Sequence, residues 1–289
     1  MPSAKDIHVA PISAKDAGAL VKRVHYSSKV VQNSQLHLGV FLDGRLEGAM
    51  QFGPSLDKRK VQGLVEGTLW NGFLELNRMA FSDRLPRNSE SRALGIAMRL
   101  IRKAYPHIEW VISFADGAQC GDGAIYRASG FVLTGIRKNT SLWRGPEGDV
   151  IADVTVKSNP TARPVFSRTS LTDGRSKQQQ QQEALAVVSR TIVTKGGHAA
   201  KAGGGASMKV YKEAGFEPIP GFQLRYMYFL NPEARQRLTV PILPFSKIDE
   251  MGAGMYRGKA RPKDQDLANP ARLGGETPTR TLQHSDEAA

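Results

Sequence analysis

The fold is decided by FLELNRMAF (residues 73–81) and IEWVISFAD (108–116), two strand-like runs that are each followed by a polar turn and a helix-like run. The segments that follow them are SDRLPRNSESRALGIAMRLIRK (82–103) and GDGAIYRASGF (121–131). This alternation of strands and helices predicts an α/β fold with a mixed sheet flanked by helices. Ligands of open α/β sheets bind where strands end, so we expect the functional site at these turns.

The segment at 82–103 has the spacing of an amphipathic helix. Leu94, Ala97, Met98 and Ile101 recur at i, i+3, i+4 and i+7, which predicts one buried face. Pro86 ends the preceding segment, and Asn88 or Ser89 is the predicted N-cap. The run IEWVISFA at 108–115 is almost uninterruptedly apolar, which predicts a central strand covered on both faces.

Further elements surround this block. KDAGALVKRVHY (15–26) has helical spacing, and LHLGVFLDGRLEGAMQF (36–52) is typical of a hairpin turning at Asp43-Gly44. KRKVQGLVEGTLWNG (58–72) is predicted to be a basic loop, whereas FVLTGIRK (131–138) predicts another strand after Gly130.

The composition changes near residue 160. We expect a core at residues 1–159, then a flexible low-complexity insertion or linker at 160–206 that contains five consecutive glutamines and several glycines. A helix and strand at 207–250 would complete the core. The stretch 251–289 is rich in glycine, proline and charge, which predicts a disordered tail.

The charge balance favours a polyanionic partner. The chain of 289 residues carries 40 Lys and Arg against 27 Asp and Glu, a net charge of +13. A basic protein without a nucleic-acid role is the alternative. A single cysteine, Cys120, excludes a disulfide framework, and no apolar run is long enough to span a membrane. We therefore expect a cytoplasmic protein.

Several polar residues are candidates for an anion site at the predicted helix start near residue 88. Backbone N–H groups there, aided by Asn88, Ser89, Ser91 and Arg87, would bind a phosphate or pyrophosphate. An ordinary capped helix is the alternative, because the turn lacks the glycines that let a coenzyme A pyrophosphate lie close to the backbone.

Two charged residues belong to the predicted strands. Arg78 lies within an apolar run, where its charge needs a ligand or an ion-pair partner such as Glu75. Asp116 follows a buried strand directly, as a binding residue or a general base would, although an Asp before Gly117 is also a common turn.

His25, Tyr126 and Cys120 are weaker candidates on their own. His25 closes the first helix and titrates near neutrality or ligates a metal in some proteins, but most lone histidines do neither. Tyr126 lies on the short helix after the second strand and is a candidate general acid; otherwise it belongs to the core. No base can be assigned to Cys120, which argues against a nucleophilic role.

The polar blocks together resemble the Mom family of bacteriophage DNA-modification proteins, which is related to the GCN5-type N-acetyltransferase fold. The resemblance covers residues 5–157 and a later strand, but not 160–205 or the tail. The matching blocks are HYS (25–27), LNRMAF (76–81), LPRNSESRAL (85–94), SFAD (113–116), GAIYRASGF (123–131) and RYMYFL (225–230).

The resemblance implies an activity and a set of site residues. Members of this family convert adenine in phage DNA to N6-carbamoylmethyladenine, which protects the genome from host restriction inside the bacterial cytoplasm. The implied acyltransferase-like core acts on double-stranded DNA, with the adenine flipped out of the duplex. The implied residues are Asp116, Tyr126 and His25 for catalysis, Arg78, Asn88, Ser89 and Ser91 for the donor, and Lys58, Arg59, Lys60 and Arg87 for DNA.

The product that the resemblance implies constrains the donor. Acetyl-CoA supplies two carbons but no amide nitrogen, whereas a glycyl donor such as glycyl-tRNA supplies both, so tRNA is a candidate partner. A redox route through a metal such as iron at His25 and Asp116 stays open. Two rivals are a conventional N-acetyltransferase that uses acetyl-CoA on a small molecule or protein, and a DNA-binding protein without catalytic activity.

Overall fold

The computed structural model describes residues 2–25, 30–117, 121–139, 141–146, 150–152, 212, 215–256 and 259–260. Within them, the strands are β1 (His8–Pro11), β2 (Leu36–Leu42), β3 (Arg45–Gly53), β4 (Phe73–Phe81), β5 (Trp110–Asp116), β6 (Val132–Lys138), β7 (Leu142–Arg144), β8 (Val150–Ala152), β9 (Glu217–Pro218), β10 (Phe222–Phe229), β11 (Met255–Tyr256) and β12 (Lys259–Ala260). The helices are α1 (Ala14–Val24), α2 (Lys58–Gln62), α3 (Ser89–Ala104), α4 (Ala124–Ala128), α5 (Pro232–Gln236) and α6 (Ser246–Glu250), preceded by a 3₁₀ turn at Ala4–Asp6.

A seven-stranded mixed sheet in the order β1-β2-β3-β4-β5-β10-β6 forms the centre of the protein. Its neighbouring strands are antiparallel except for β4 and β5, which run parallel. A smaller sheet has the order β8-β7-β9. The prediction of a mixed α/β sheet flanked by helices is therefore confirmed. The predicted hairpin is also present, and Asp43 and Gly44 both have the positive φ that a tight turn of this kind requires.

The helices cover the two faces of the sheet. The predicted apolar face of α3 is fully buried and packs on the face that carries Met50, Leu76 and Val111. The opposite face carries Ala49, which packs against Leu20 of α1. We call these two faces the α3 side and the α1 side.

Two predictions need correction, and a third is met only in part. Residues 58–62 form the short helix α2 instead of a loop, because Val61 packs on an apolar cluster and Lys60 pairs with Asp57 at 2.9 Å. Asn88 is the N-cap residue of α3, as predicted, but this residue is left-handed with φ 67° and its side chain makes no capping hydrogen bond. Residues 251–256 are not a free tail, because Ala253 is buried in the core. The predicted insertion at 160–206 and the rest of the tail, apart from residues 259–260, lie outside the described residues.

Within this described part of the chain, none of the helices combines the length and the apolar character needed to cross a bilayer.

Candidate active site

The parallel strands β4 and β5 separate after a short paired stretch. Their pairing covers only Phe73–Glu75 and Trp110–Ile112. Just beyond it, β4 contains a β-bulge, because Gln51 pairs with Arg78 and the next β3 residue pairs with Leu76, which leaves Asn77 as an extra residue. A bulge bends its strand and increases the local twist. Beyond Glu75 and Ile112 the two strands no longer pair, and we call the gap between their carboxyl-terminal halves the cleft.

Arg78 is on the α1 side of this cleft. It lies opposite Gln51, which lies opposite His37 in the neighbouring strand. Gln51 Nε2 and His37 Nδ1 are 3.1 Å apart, so this cross-strand row shares one face. Ala49 is two residues along the same strand and packs on α1, and side chains two apart in a strand point to the same face.

The structure brings His25 close to Arg78. The backbone N–H of His25 caps α1 by donating to the carbonyl of Val21 at 3.0 Å. Burial, and to a smaller extent the positive charge of Arg78, lowers the pKa of His25 to about 3. The imidazole is therefore neutral at physiological pH. It can donate and accept hydrogen bonds, but it is a weak base.

Glu75 belongs to the same group, although the sequence singled it out only as an ion-pair partner. Burial raises the pKa of Glu75, whereas neighbouring Ser55 and Asn77 and the charge of Arg78 oppose that shift. Arg78 also donates from Nη1 to the carbonyl of Asn77 at 2.8 Å. Both predicted roles of Arg78, binding a ligand and pairing with Glu75, are therefore compatible with the structure, because its guanidinium group can interact with both at once.

Asp116 ends β5 on the side of the sheet that faces away from α3. Phe114, two residues earlier, packs in the cluster of Trp110, whereas Ala115 faces the α3 core. The amide of Asn139 donates to Oδ2 of Asp116 at 3.0 Å, which fixes the orientation of the carboxylate. Asn139 had no sequence signal of its own, because it reaches Asp116 from the end of β6.

Tyr126 lies on the other side of the sheet. Its ring centre is 5.2 Å from that of Tyr226 and 5.5 Å from that of Phe131, within the α3 core. The hydroxyl of Tyr226 donates to the carbonyl of Asp122 at 2.5 Å, and Arg127 pairs with the carboxylate of Asp122 at 3.3 Å. Tyr126 is thus separated by the sheet from Arg78 and Asp116, and it reaches a shared ligand only through the cleft.

The start of α3 contributes buried hydroxyl groups. Ser91 Oγ donates to the carbonyl of Asn88 at 3.2 Å, and Asn88 is exposed. The Oγ atom of Ser89, the first residue of α3, is buried, and so is that of Ser113 on the α3 side of β5. Neither makes a hydrogen bond within the described residues. A buried hydroxyl without a partner costs about 1–3 kcal/mol. A polar ligand on the α3 side of the cleft would offset that cost.

The basic residues predicted to contact DNA are on the surface. Arg59 and Arg87 are exposed. Lys58 Nζ lies 4.5 Å from the ring centre of Trp70, which is itself half exposed, and it donates to Asn71 Oδ1 at 3.1 Å. Lys60 is engaged with Asp57 in the ion pair already described. Leu56, which shortly precedes these lysines, and Leu69, which directly precedes Trp70, are also exposed.

Among the residues that the structure describes, no cluster of three His, Cys, Asp or Glu side chains has the geometry to hold a metal ion. His25 and Asp116 share the α1 side, and the proposed metal role for this pair stays a prediction. Cys120 lies outside the described residues, as do Tyr26 and Ser27 of the first matching block.

Comparisons with known proteins agree on one family. A model of the Mom protein family matches residues 6–247. The methylcarbamoylase Mom of Escherichia phage Mu is 44% identical over 137 residues, which cover 47% of this chain and 56% of that protein. The match thus spans little more than half the length of that relative.

Similar solved structures are GNAT proteins. A tandem GNAT protein from the clavulanic acid biosynthesis pathway has a TM-score of 0.41 at 10% identity, covering 78% of this chain and 99% of that one. A GNAT family acetyltransferase from Brucella melitensis in complex with acetyl-CoA has a TM-score of 0.30 at 17% identity, covering 43% and 82%. The family model, in contrast, spans well over half of the sequence, and the chain therefore belongs to the Mom protein family.

Proposed function

We propose that this protein is a transferase that converts adenine in double-stranded DNA to N6-carbamoylmethyladenine and so protects phage DNA from restriction in the host cytoplasm. Family membership and the name of the phage Mu relative support this proposal. The observation that carries it is the cleft between β4 and β5. His25, Arg78 and Asp116 lie on the α1 side of the sheet. Ser89 and Ser113 lie on its α3 side, with buried hydroxyls that have no hydrogen-bond partner among the described residues.

The two sides of the cleft suit the two substrates. An adenine must leave the base stack before its amino group can be reached, and it would enter from the α1 side, where the charged residues lie. The net charge of +13 favours association with DNA phosphates. Lys58, Arg59 and Lys60 would contact the DNA backbone, and exposed Trp70 adds a stacking surface beside Lys58.

The residues on the α1 side would divide the chemistry among them. Asp116, oriented by Asn139, would accept the proton that leaves adenine N6. Arg78 would stabilise negative charge on the donor carbonyl through charge-assisted hydrogen bonds. His25 is neutral with a pKa of about 3. We therefore assign it a hydrogen bond to the flipped adenine rather than the abstraction of a proton. Tyr126 would deliver a proton to the leaving group from the α3 side.

The transferred group favours an amino-acyl donor. A methylcarbamoyl group contains two carbons, one oxygen and one amide nitrogen, whereas the acetyl group of acetyl-CoA lacks the nitrogen. With a glycyl ester, N6 attacks the ester carbonyl and the ester C–O bond breaks, releasing the donor hydroxyl, which takes up the proton that N6 loses. The glycyl amine then attacks C6 and the old C6–N6 bond breaks. The amine becomes the new N6, the old N6 becomes the amide, and no oxidant is consumed.

Expression in a bacterium followed by nucleoside mass spectrometry tests this function. Wild type should yield N6-carbamoylmethyladenine in cellular DNA, and isotopically labelled glycine should place its nitrogen in that nucleoside. Asp116→Asn should abolish the product, whereas Asp43→Asn, a matched change in the exposed hairpin turn, should not. Unmodified DNA together with a gel shift would instead indicate a DNA-binding protein. An acetylated small molecule or protein without a DNA product would indicate a conventional acetyltransferase.

A further inference from the structure

A basic groove runs along the outer face of α3 and has a volume of about 660 Å³. We call it the α3 groove. It lies outside the cleft, and of the residues already assigned a role it is lined by Asn88 and Ser91, which are candidates for binding the donor. The residues that define it for this argument are Lys5, Asn88, Arg92, Gly95, Arg99 and Arg102.

The cations of the α3 groove are available to a ligand. Arg92, Arg99, Arg102 and Lys5 are exposed. In the described part of the chain none of them forms an ion pair. Asp6 is close enough that hydrogen bonds from Ser3 and, to a smaller extent, the charge of Arg92 lower the pKa of its carboxyl group. Four cations around one groove repel one another, and an anionic ligand would relieve that repulsion.

Gly95 leaves the backbone of α3 open to a close approach. It occupies a middle position of α3, between Arg92 and Arg99 on the same face. Glycine weakens a helix relative to alanine, because it has more conformational freedom to lose. Packing does not demand it here, since an added Cβ would meet no atom within 4 Å. The absence of a side chain at Gly95 therefore leaves room for a ligand against the helix backbone.

The length of the α3 groove favours a polymer. At a rise of about 1.5 Å per residue, Arg92 and Arg102 are about 15 Å apart and Asn88 and Arg102 about 21 Å apart along α3. A single coenzyme concentrates its phosphates at one end of such a distance. A nucleic acid strand carries a phosphate about every 3.4 Å along its axis, so it meets the whole row of arginines.

The position of the α3 groove decides between two nucleic acids. It lies on the α3 side, whereas His25, Arg78 and Asp116 lie on the α1 side, with the sheet between them. DNA that presents an adenine to the α1 side cannot also lie along the outer face of α3. The donor residues Asn88 and Ser91, in contrast, line the α3 groove itself.

We propose that the α3 groove binds the sugar-phosphate backbone of an aminoacyl-RNA and thereby delivers the donor group to the cleft. This inference rests on the proposed function, because the reaction needs an activated amino acid and the groove needs a polyanion. An RNA esterified with glycine at its 3′ end meets both requirements. The ester enters the cleft near the start of α3, and the backbone follows the arginines away from it.

A binding experiment on the full chain tests the proposal. The probes are glycine-charged tRNA, uncharged tRNA, duplex DNA and coenzyme A, each at low salt. Arg99→Ala with Arg102→Ala should weaken binding of both tRNA probes about tenfold and leave DNA binding unchanged, since each phosphate contact adds to affinity. Lys22→Ala with Arg23→Ala removes the same charge from the exposed surface of α1 and should leave tRNA binding unchanged.

Other outcomes overturn the proposal. Weaker DNA binding with unchanged tRNA binding would assign the α3 groove to the DNA, and weaker coenzyme A binding alone would assign it to a coenzyme. If wild type and all variants bind every probe equally well, the α3 groove is an ordinary solvent-exposed helix face without a ligand. Gly95→Leu keeps the charges but fills the groove, and it should weaken tRNA binding without unfolding α3. Unchanged tRNA binding by Gly95→Leu would contradict a close approach there.

The same variants separate this proposal from the proposed function. If wild-type cells contain the modified adenine and the Arg99 and Arg102 variant produces it equally well, the α3 groove proposal fails and the function stands. If wild type produces no modified adenine although tRNA binding depends on Arg99 and Arg102, the function fails and the groove assignment stands.

Discussion

The neutral state of His25 should make the protein lose stability in mild acid. The pKa of this histidine falls from 6.5 in the unfolded chain to about 3 in the folded protein, because burial and the charge of Arg78 disfavour its protonated form. Between these two values only the unfolded chain binds the proton. The free energy of unfolding should therefore decrease as the pH falls through 6.5, and it should continue to decrease until about pH 3.

The size of the effect follows from the two pKa values. Between pH 7 and pH 5 the unfolded chain takes up a proton on His25 that the folded protein does not, and this lowers the free energy of unfolding by about 2 kcal/mol. Since many domains are stable by only about 5–15 kcal/mol, this loss is measurable by urea unfolding at the two pH values.

A His25→Gln variant isolates the contribution of the imidazole. Burial also lowers the pKa of His37, and burial raises that of Glu75. These groups remain in the variant, so the difference between the two proteins reports His25. The variant should lose about 2 kcal/mol less than wild type between pH 7 and pH 5. Equal losses in the two proteins would refute the assignment of His25 as a buried neutral neighbour of Arg78.

Three further substitutions test the site and the packing. Asp116→Asn should reduce formation of the modified adenine at least about 100-fold in a time course, because it removes a proton acceptor; unchanged formation would exclude Asp116 as the base. Thr68→Val should lower the free energy of unfolding by about 1–3 kcal/mol, because it leaves the buried Nε1 of Trp110 without its acceptor at 3.0 Å; a change near zero in urea unfolding would contradict this. Gly123→Ala should destabilise the protein by about 2 kcal/mol or more, since Gly123 has φ +82° and a Cβ would lie 2.4 Å from the Tyr226 ring; an unchanged melting temperature would show that the ring can move.

The elements near the cleft were predictable because their signals are local. The spacing of Leu94, Ala97, Met98 and Ile101 predicted the buried face of α3, and Asp43-Gly44 predicted the hairpin turn. The position of β10 between β5 and β6 had no such signal. Strand pairing between distant segments depends on the whole sheet rather than on a neighbouring turn. A sequence pattern therefore predicts that a segment is a strand, but not which strands it pairs with.

The sequence suggested candidate residues for the site, but it did not predict how they divide between the two faces of the sheet. FLELNRMAF is typical of a regular strand, and nothing in it reveals the bulge at Asn77. One extra residue changes the face to which every later side chain points. The bulge therefore sets Arg78 on the α1 side, near His25, and away from Tyr126. The sequence correctly predicted the helix that His25 closes. The proximity of His25 to Arg78 depends on tertiary packing, which the sequence pattern does not reveal.

The place of β10 in the sheet also bears on how the protein is made. This strand (Phe222–Phe229) is hydrogen-bonded on one edge to β5 and on the other to β6, although both partners leave the ribosome long before it does. Until β10 emerges, the nascent chain exposes two unpaired strand edges beside the unfinished cleft, and such edges invite association with other chains. The sheet around the candidate site is therefore complete only once β10 has been made, and we expect a chain interrupted before Phe222 to aggregate.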